Sequence, residues 1–170
     1  MINYIELEKE LRKIITPESV FVCIGSSKVS YDIFGPYCGT LLKKNKVPYY
    51  GDMRNTVNAV NMYDKLDLIY DNHDNTNIIA IDACVTRDKN KLGEVKVRTE
   101  SGIRPAAGVG GRFPEVGYSS IIMYTITFDG LKDSFVKGGV INEHIIKRQA
   151  KLAVNLISKI YNEVIEGVTV

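Results

Sequence analysis

The alternation of helical and strand periods along the chain predicts an α/β fold, and two segments sharpen that prediction. Ile78 to Ala83 is a short unbroken apolar run, the pattern of a strand buried on both faces, as parallel sheets require. From about Val140 to Val164 the apolar set Ile141, Ile145, Ile146, Ala150, Ala153, Leu156, Ile157, Ile160 and Val164 makes a long amphipathic helix suited to covering a sheet face. The 170 residues are 45% hydrophobic, enough for one sizeable core, and no repeat, low-complexity tract or linker divides them. A single domain over residues 1–170 is predicted.

Residues 5–15 place Ile5, Leu7, Leu11, Ile14 and Ile15 among charges, a helix that stops before Pro17. Val20 to Ile24 reads as a buried strand. After a glycine-containing loop, Gly35-Pro36 starts a helix running to Lys44, since proline in a first turn has no amide hydrogen to leave unpaired. Val47 to Tyr50 is a short strand ended by Gly51. Val57 to Tyr70 follows a rough helical pattern that Asp71-Asn72-His73-Asp74-Asn75 breaks. Residues 86–92 are turn-like. Val95 and Val97 alternate with charged neighbours in a strand over 93–99, and Ile121 to Phe128 is a strand rich in β-branched residues.

The 22 basic and 20 acidic residues nearly cancel, so the balance of +2 gives no argument for nucleic acid as a partner. No apolar stretch reaches the roughly 20 residues that cross a bilayer, and the first ten residues lack a signal-peptide pattern. A cytoplasmic protein without membrane contact is expected. Cys23, Cys38 and Cys84 are odd in number and widely spaced, against a disulfide scaffold or a CxxC site. Cys23 reads as core, and Cys84 lies nearer a cleft rim.

Asp32 and Asp82 carry the best signal for chemistry. Each follows a short apolar run, the first inside Cys23-Ile24-Gly25-Ser26-Ser27-Lys28-Val29-Ser30-Tyr31-Asp32, the second at the expected end of Ile78-Ile79-Ala80-Ile81-Asp82. Were the two runs neighbouring parallel strands, both carboxylates would emerge at the edge where open α/β folds put their ligand crevices. Two carboxylates in a partly desolvated site do not both ionise cheaply, so such a pair offers a base beside an acid and can activate water against an amide. A structural reading stands beside this one: Asp32 ordering its own loop through an Asx-turn, Asp82 capping a backbone turn. The shared placement favours function.

The second informative stretch is Ser101-Gly102-Ile103-Arg104-Pro105-Ala106-Ala107-Gly108-Val109-Gly110-Gly111-Arg112. Small residues let backbone approach a ligand, and Arg104 or Arg112 can pair with a carboxylate or hold a carbonyl. It is no nucleotide motif, lacking GxxxxGK[ST] and failing GxGxxG at Phe113, and a tight structural turn is the simpler reading. His73 reads as a surface loop residue. His144, beside Glu143 at the start of the last helix, has no HExxH-type spacing to support a metal. Ser26, Ser27 and Ser30 lack a nucleophile elbow and a placed base.

Four blocks in order, CIGSSKVSYDIFGPYCG at 23–39, YGDMRNTVNAVN at 50–61, IIAIDAC at 78–84 and RPAAGVGGRFPEVGYSSI at 104–121, resemble the YyaC family of sporulation proteins. That family is similar to the spore germination protease and, more distantly, to hydrogenase maturation endopeptidases. The resemblance implies a three-layer α/β/α, phosphorylase/hydrolase-like fold with a mixed sheet. It also implies an active site on Asp32 and Asp82, with Gly25, Gly35, Pro36, Gly108 and Gly110 as cleft framework. Gly25, Ser26, Arg104, Gly108 and Gly110 are the candidate substrate-binding positions. Thr56 and Asn58 stand where family members are expected to carry proline and histidine, so no role of that histidine transfers. Nothing matches a nickel-holding histidine, and no metal or cofactor is predicted. The expected activity is hydrolysis of a protein or peptide, small spore proteins being the suggested class. The alternative is a peptide- or partner-binding protein that keeps the fold without turnover. A homodimer is the family expectation.

Overall fold

The computed structural model describes residues 3–74, 76–105, 112–133 and 137–167. Five strands form one sheet: β1 (Ser19–Cys23), β2 (Tyr49–Tyr50), β3 (Asn77–Thr86), β4 (Val95–Arg98) and β5 (Ser119–Thr127), in the order β2-β1-β3-β5-β4. β2, β1, β3 and β5 are parallel, and β4 runs antiparallel to β5 at the edge. The helices are α1 (Tyr4–Ile14), α2 (Phe34–Lys44), α3 (Met62–Asn72), the short α4 (Phe128–Lys132) and α5 (Glu143–Ile165).

Strand periodicity sorts the core into two faces. Phe21, Cys23, Ile79, Ile81, Ile121 and Met123 pack with Leu7 and Leu11 of α1, Phe34, Cys38 and Leu42 of α2, and Ile146, Ala150 and Ile157 of α5. The alternate residues Val22, Ile78, Ala80 and Ile122 pack on the other face with Met62, Leu66 and Ile69 of α3. Because successive side chains point to opposite faces, both sides of the sheet are covered and the fold is a three-layer α/β/α sandwich with a mixed sheet. β1 leads through α2 outward to β2, whereas α3 carries the chain back across to β3 on the opposite face. The winding direction therefore reverses between β1 and β3, the place where such sheets open a crevice.

Several elements differ from the pattern-based reading. β3 does not stop near Ala83. It runs to Thr86 because β5 keeps pairing with it, Ala83 to Met123 and Thr86 to Thr127. Asp82 is therefore inside β3, not at its end. The expected helix from Val57 begins only at Met62, since Val57 forms a parallel bridge with Ile24. Phe128 opens α4 instead of ending β5, because the Thr127 hydroxyl accepts from the Gly130 amide and caps a helical turn. No helix of the described residues is long and apolar enough to cross a membrane.

Candidate active site

β1 is shorter than β3, and that difference makes the site. The Ile24 amide donates to the Ile81 carbonyl at 2.7 Å, the last bond between the two strands, and Gly25 then turns the chain away at φ 143°. A Cβ at Gly25 would collide with the Asp32 carbonyl, so only glycine serves in this turn. Beyond this point no strand of the described residues pairs with β3 on the side where β1 lay. The Ala83 amide faces that gap and is satisfied by Asp82 Oδ1 at 2.8 Å.

Asp82 continues the row Ile78–Ala80 on the α3 face and is 7% exposed. Asp32 arrives from the loop: a 3-10 turn over Ser30–Asp32 closes with the Asp32 amide on the Val29 carbonyl (2.9 Å) and leads straight into α2. Gly35 seats α2 on the sheet, because a Cβ there would clash with the Ile24 carbonyl and lie 2.7 Å from the Ile81 carbonyl. The two aspartates thus share one cleft of about 880 Å³, together with Gly25, Asn58, Cys84, Arg98 and Arg104.

Burial pushes the Asp32 carboxyl up to about 6, opposed by the Ser26 amide. Asp82 is raised well above the carboxylate range, first by burial and then by the charge of Asp32, with the Ala83 amide pulling the other way. Burial and the neighbouring Asp82 lift the Cys84 thiol to about 12, so it is neutral and a poor nucleophile. Both surroundings favour the protonated carboxyl, and the additional charge of Asp32 favours it further at Asp82, so the pair is set up to share a proton with Asp82 as its preferred holder. Since Oδ1 accepts from Ala83, Oδ2 is the oxygen left to carry and donate that proton.

These shifts also predict a stability signature. The folded-state value of Asp32 is raised, so its contribution is fully present below its ordinary value of 3.8 and is lost as pH climbs through about 6. Asp32→Asn removes the penalty. It is expected to be more stable than wild type at pH 8 by about 2 kcal/mol after allowance for the half-exposed position, roughly 5 °C in Tm. The gain should vanish at pH 3.5. Thermal melts at both pH values check it, and an unchanged difference between them would contradict the shift.

Other candidates fall into place differently. Arg104 lines the cleft, 75% exposed at its side chain and 3.9 Å from Glu115. Glu115 is itself anchored by the Gly102 amide at 2.8 Å, so the guanidinium is held loosely and remains available to a ligand. Ser26 is not part of the cleft lining; its hydroxyl accepts from the Lys28 amide within its own loop. Gly108 and Gly110 lie outside the described residues. His73 meets the Tyr50 hydroxyl at 2.7 Å, and neither His73 nor His144 lines the cleft. Asn58 does, but its amide donates to Thr56 Oγ1 and its carbonyl accepts from the Val60 amide, which occupies both ends in its own turn. Among the described residues no cluster of three or more His, Cys, Asp or Glu side chains is placed to hold a metal ion. Arg98 was not foreseen. Alternation with Val95 and Val97 sets it on the charged face of β4, and only the strand order brings that face to the cleft.

The sequence matches, over residues 2–160, a family described as "Protein of unknown function (DUF1256)". The chain belongs to that family. Within it, 114 residues are 38% identical to "Uncharacterized protein YyaC" of Bacillus subtilis (strain 168), covering 65% of this chain and 55% of the relative. The chain thus spans little more than half the length of that curated relative. The DUF1256 match includes both aspartates and every residue that lines the cleft.

Proposed function

We propose that this chain is a sporulation-associated, peptidase-like hydrolase, one domain whose Asp32 and Asp82 activate water against a peptide bond. The observation that carries the reading is the meeting of Asp32 with the buried Asp82 in one cleft, where burial and the charge of Asp32 favour the protonated form of Asp82. Asp32 takes a proton from water as the oxygen attacks the scissile carbonyl, while Asp82 gives its proton to the carbonyl oxygen. Collapse of the tetrahedral adduct breaks the C–N bond. The proton on Asp32 passes to the leaving amine, and Asp82 recovers its own from the adduct hydroxyl.

The resemblance of the four sequence blocks to sporulation proteins, and through them to the germination protease, suggests small acid-soluble spore proteins as substrates in the cytoplasm of the sporulating cell. A cleft of about 880 Å³ with Arg104 at its rim has room for an extended peptide segment. No metal or cofactor is needed for this chemistry. A homodimer and the absence of nucleic-acid binding belong to the same reading.

Purified wild type and the Asp32→Asn/Asp82→Asn double variant, incubated with small acid-soluble spore proteins and followed by intact-mass spectrometry, test it. Cleavage by wild type alone is expected. Cleavage by neither would move the assignment to peptide binding without turnover, and equal cleavage by both would refute the two-aspartate site. The pH–rate profile of the active protein should show an acid limb centred near about 6, where Asp32 loses its charge, in contrast to the limb near 4 of an unperturbed carboxylate.

A further inference from the structure

Arg98 is a charged group of the cleft that the reaction at the two aspartates leaves unused. Its side chain is exposed and lines the cleft. Other arginines are engaged: Arg12 bonds to Glu8 and Glu163, and Arg87 lies over the Phe128 ring. The second cleft guanidinium, Arg104, has Glu115 at 3.9 Å as a competitor for any ligand. Arg98 has no ion pair, hydrogen bond or ring contact among the described residues, so its charge is open to whatever enters the cleft.

The sheet fixes where that charge stands. Arg98 ends β4 opposite Ser120 of β5, and the Ser120 hydroxyl donates to the Ser101 carbonyl at 2.8 Å, which ties down the chain that follows the strand. Alternation sends Arg98 to the face opposite Val95 and Val97, the same face of the sheet on which Asp82 and Cys84 stand. The charge of Arg98 is felt at the Cys84 thiol, where it opposes burial. Cys84 lies two residues beyond Asp82 along β3, a separation of roughly 7 Å, or about two residues of an extended peptide.

We infer that Arg98 is a specificity-determining residue that binds an acidic side chain of the peptide close to the bond that is cleaved. The inference rests on the hydrolase reading for the peptide, and on the cleft position and the unpaired charge for the residue. A guanidinium offers a carboxylate two parallel N–H bonds, each roughly twice as strong as a bond between neutral groups. An acidic side chain at this place would otherwise be repelled by Asp32, whose carboxylate is the form that activates water. Arg98 offsets that repulsion, whereas a lysine there would meet a like charge.

Hexapeptides of alanine and serine carrying one glutamate moved through each position, each with its glutamine counterpart, measure the preference. At one position wild type should cleave the glutamate peptide with a kcat/KM at least about tenfold above that of the glutamine peptide, the worth of a hydrogen-bonded charge pair. In Arg98→Gln the two rates should come within roughly twofold of each other, and Arg98→Glu should prefer lysine at that position. Since the side chain is exposed and unpaired, both variants should melt within about 2 °C of wild type. A glutamate preference that survives Arg98→Gln, or wild type that cleaves without any such preference, would overturn the assignment.

A binding arm separates this proposal from the hydrolase reading. The same glutamate and glutamine peptides are titrated calorimetrically into the Asp32→Asn/Asp82→Asn protein, with and without Arg98→Gln. Tighter binding of a glutamate peptide that Arg98→Gln abolishes supports the residue even where wild type turns nothing over, and then only the hydrolase reading fails. Turnover by wild type with no glutamate preference in rate or affinity overturns the role of Arg98 alone. No turnover and no binding of any peptide overturns both.

Discussion

Asp82→Asn is expected to lower turnover at least about a thousandfold while leaving the fold intact, because an amide retains the shape but cannot deliver a proton to the scissile oxygen. Asn can still place its Oδ1 on the Ala83 amide, which Asp82 now reaches at 2.8 Å, so the end of the β3 gap keeps its local bond. The substitution also removes a carboxyl that burial and Asp32 drive well above its ordinary range. Thermal stability should hold or rise, and a melt beside the assay separates lost chemistry from lost structure. Turnover within threefold of wild type would show that the proton on Asp82 plays no part.

Gly35→Ala is expected to have the largest effect on stability. The added Cβ would clash with the Ile24 carbonyl and stand 2.7 Å from the Ile81 carbonyl and 2.8 Å from the Ile24 amide nitrogen, all main-chain atoms of the two strands that meet at the site. No flexible side chain can yield, so α2 must lift from the sheet and carry Asp32 with it. A loss of about 3 kcal/mol or more follows, near 10 °C in Tm for a chain of this size, with activity falling in parallel. Lys151→Ala, at an exposed position of α5, should stay within about 0.5 kcal/mol. Equal melts for the two variants would contradict the close seating of α2.

The α/β alternation and the two candidate aspartates were legible in the sequence because they rest on local signals, while the three-layer arrangement was implied by the family resemblance. The apolar run Ile78–Ala83, the α5 stripe and the Gly25 and Pro36 punctuation each depend on a few adjacent residues, and the parallel pairing of β1 with β3 puts Asp32 and Asp82 in one cleft. The extension of β3 through Cys84, Val85 and Thr86 was not legible, since it exists only because β5 continues beside it. Val57 looked helical by spacing and is instead claimed by Ile24 across the chain. Arg98 reaches the cleft only through the strand order, which no local pattern announces. Ser26 was attractive for its place in the loop, yet short-range bonding to Lys28 absorbs its hydroxyl.

The same geometry explains why the two carboxyls are unequal. Asp32 is half-buried in a turn and Asp82 is nearly closed off, so burial disfavours charge more strongly at Asp82, and the charge of Asp32 adds to that. Their coupling is therefore directional at neutral pH. Asp32→Asn should bring the titration of Asp82 down by removing that repulsion, while Asp82→Asn should leave Asp32 near about 6, since neutral Asp82 exerts no charge on it.

Carboxyl carbon-13 NMR titration of wild type and the two single asparagine variants tests this unequal pair most directly. The account predicts one carboxyl titrating near about 6 and a second protonated well above it, the second moving down in Asp32→Asn. Two carboxyls that both ionise near 4, each indifferent to loss of the other, would contradict it.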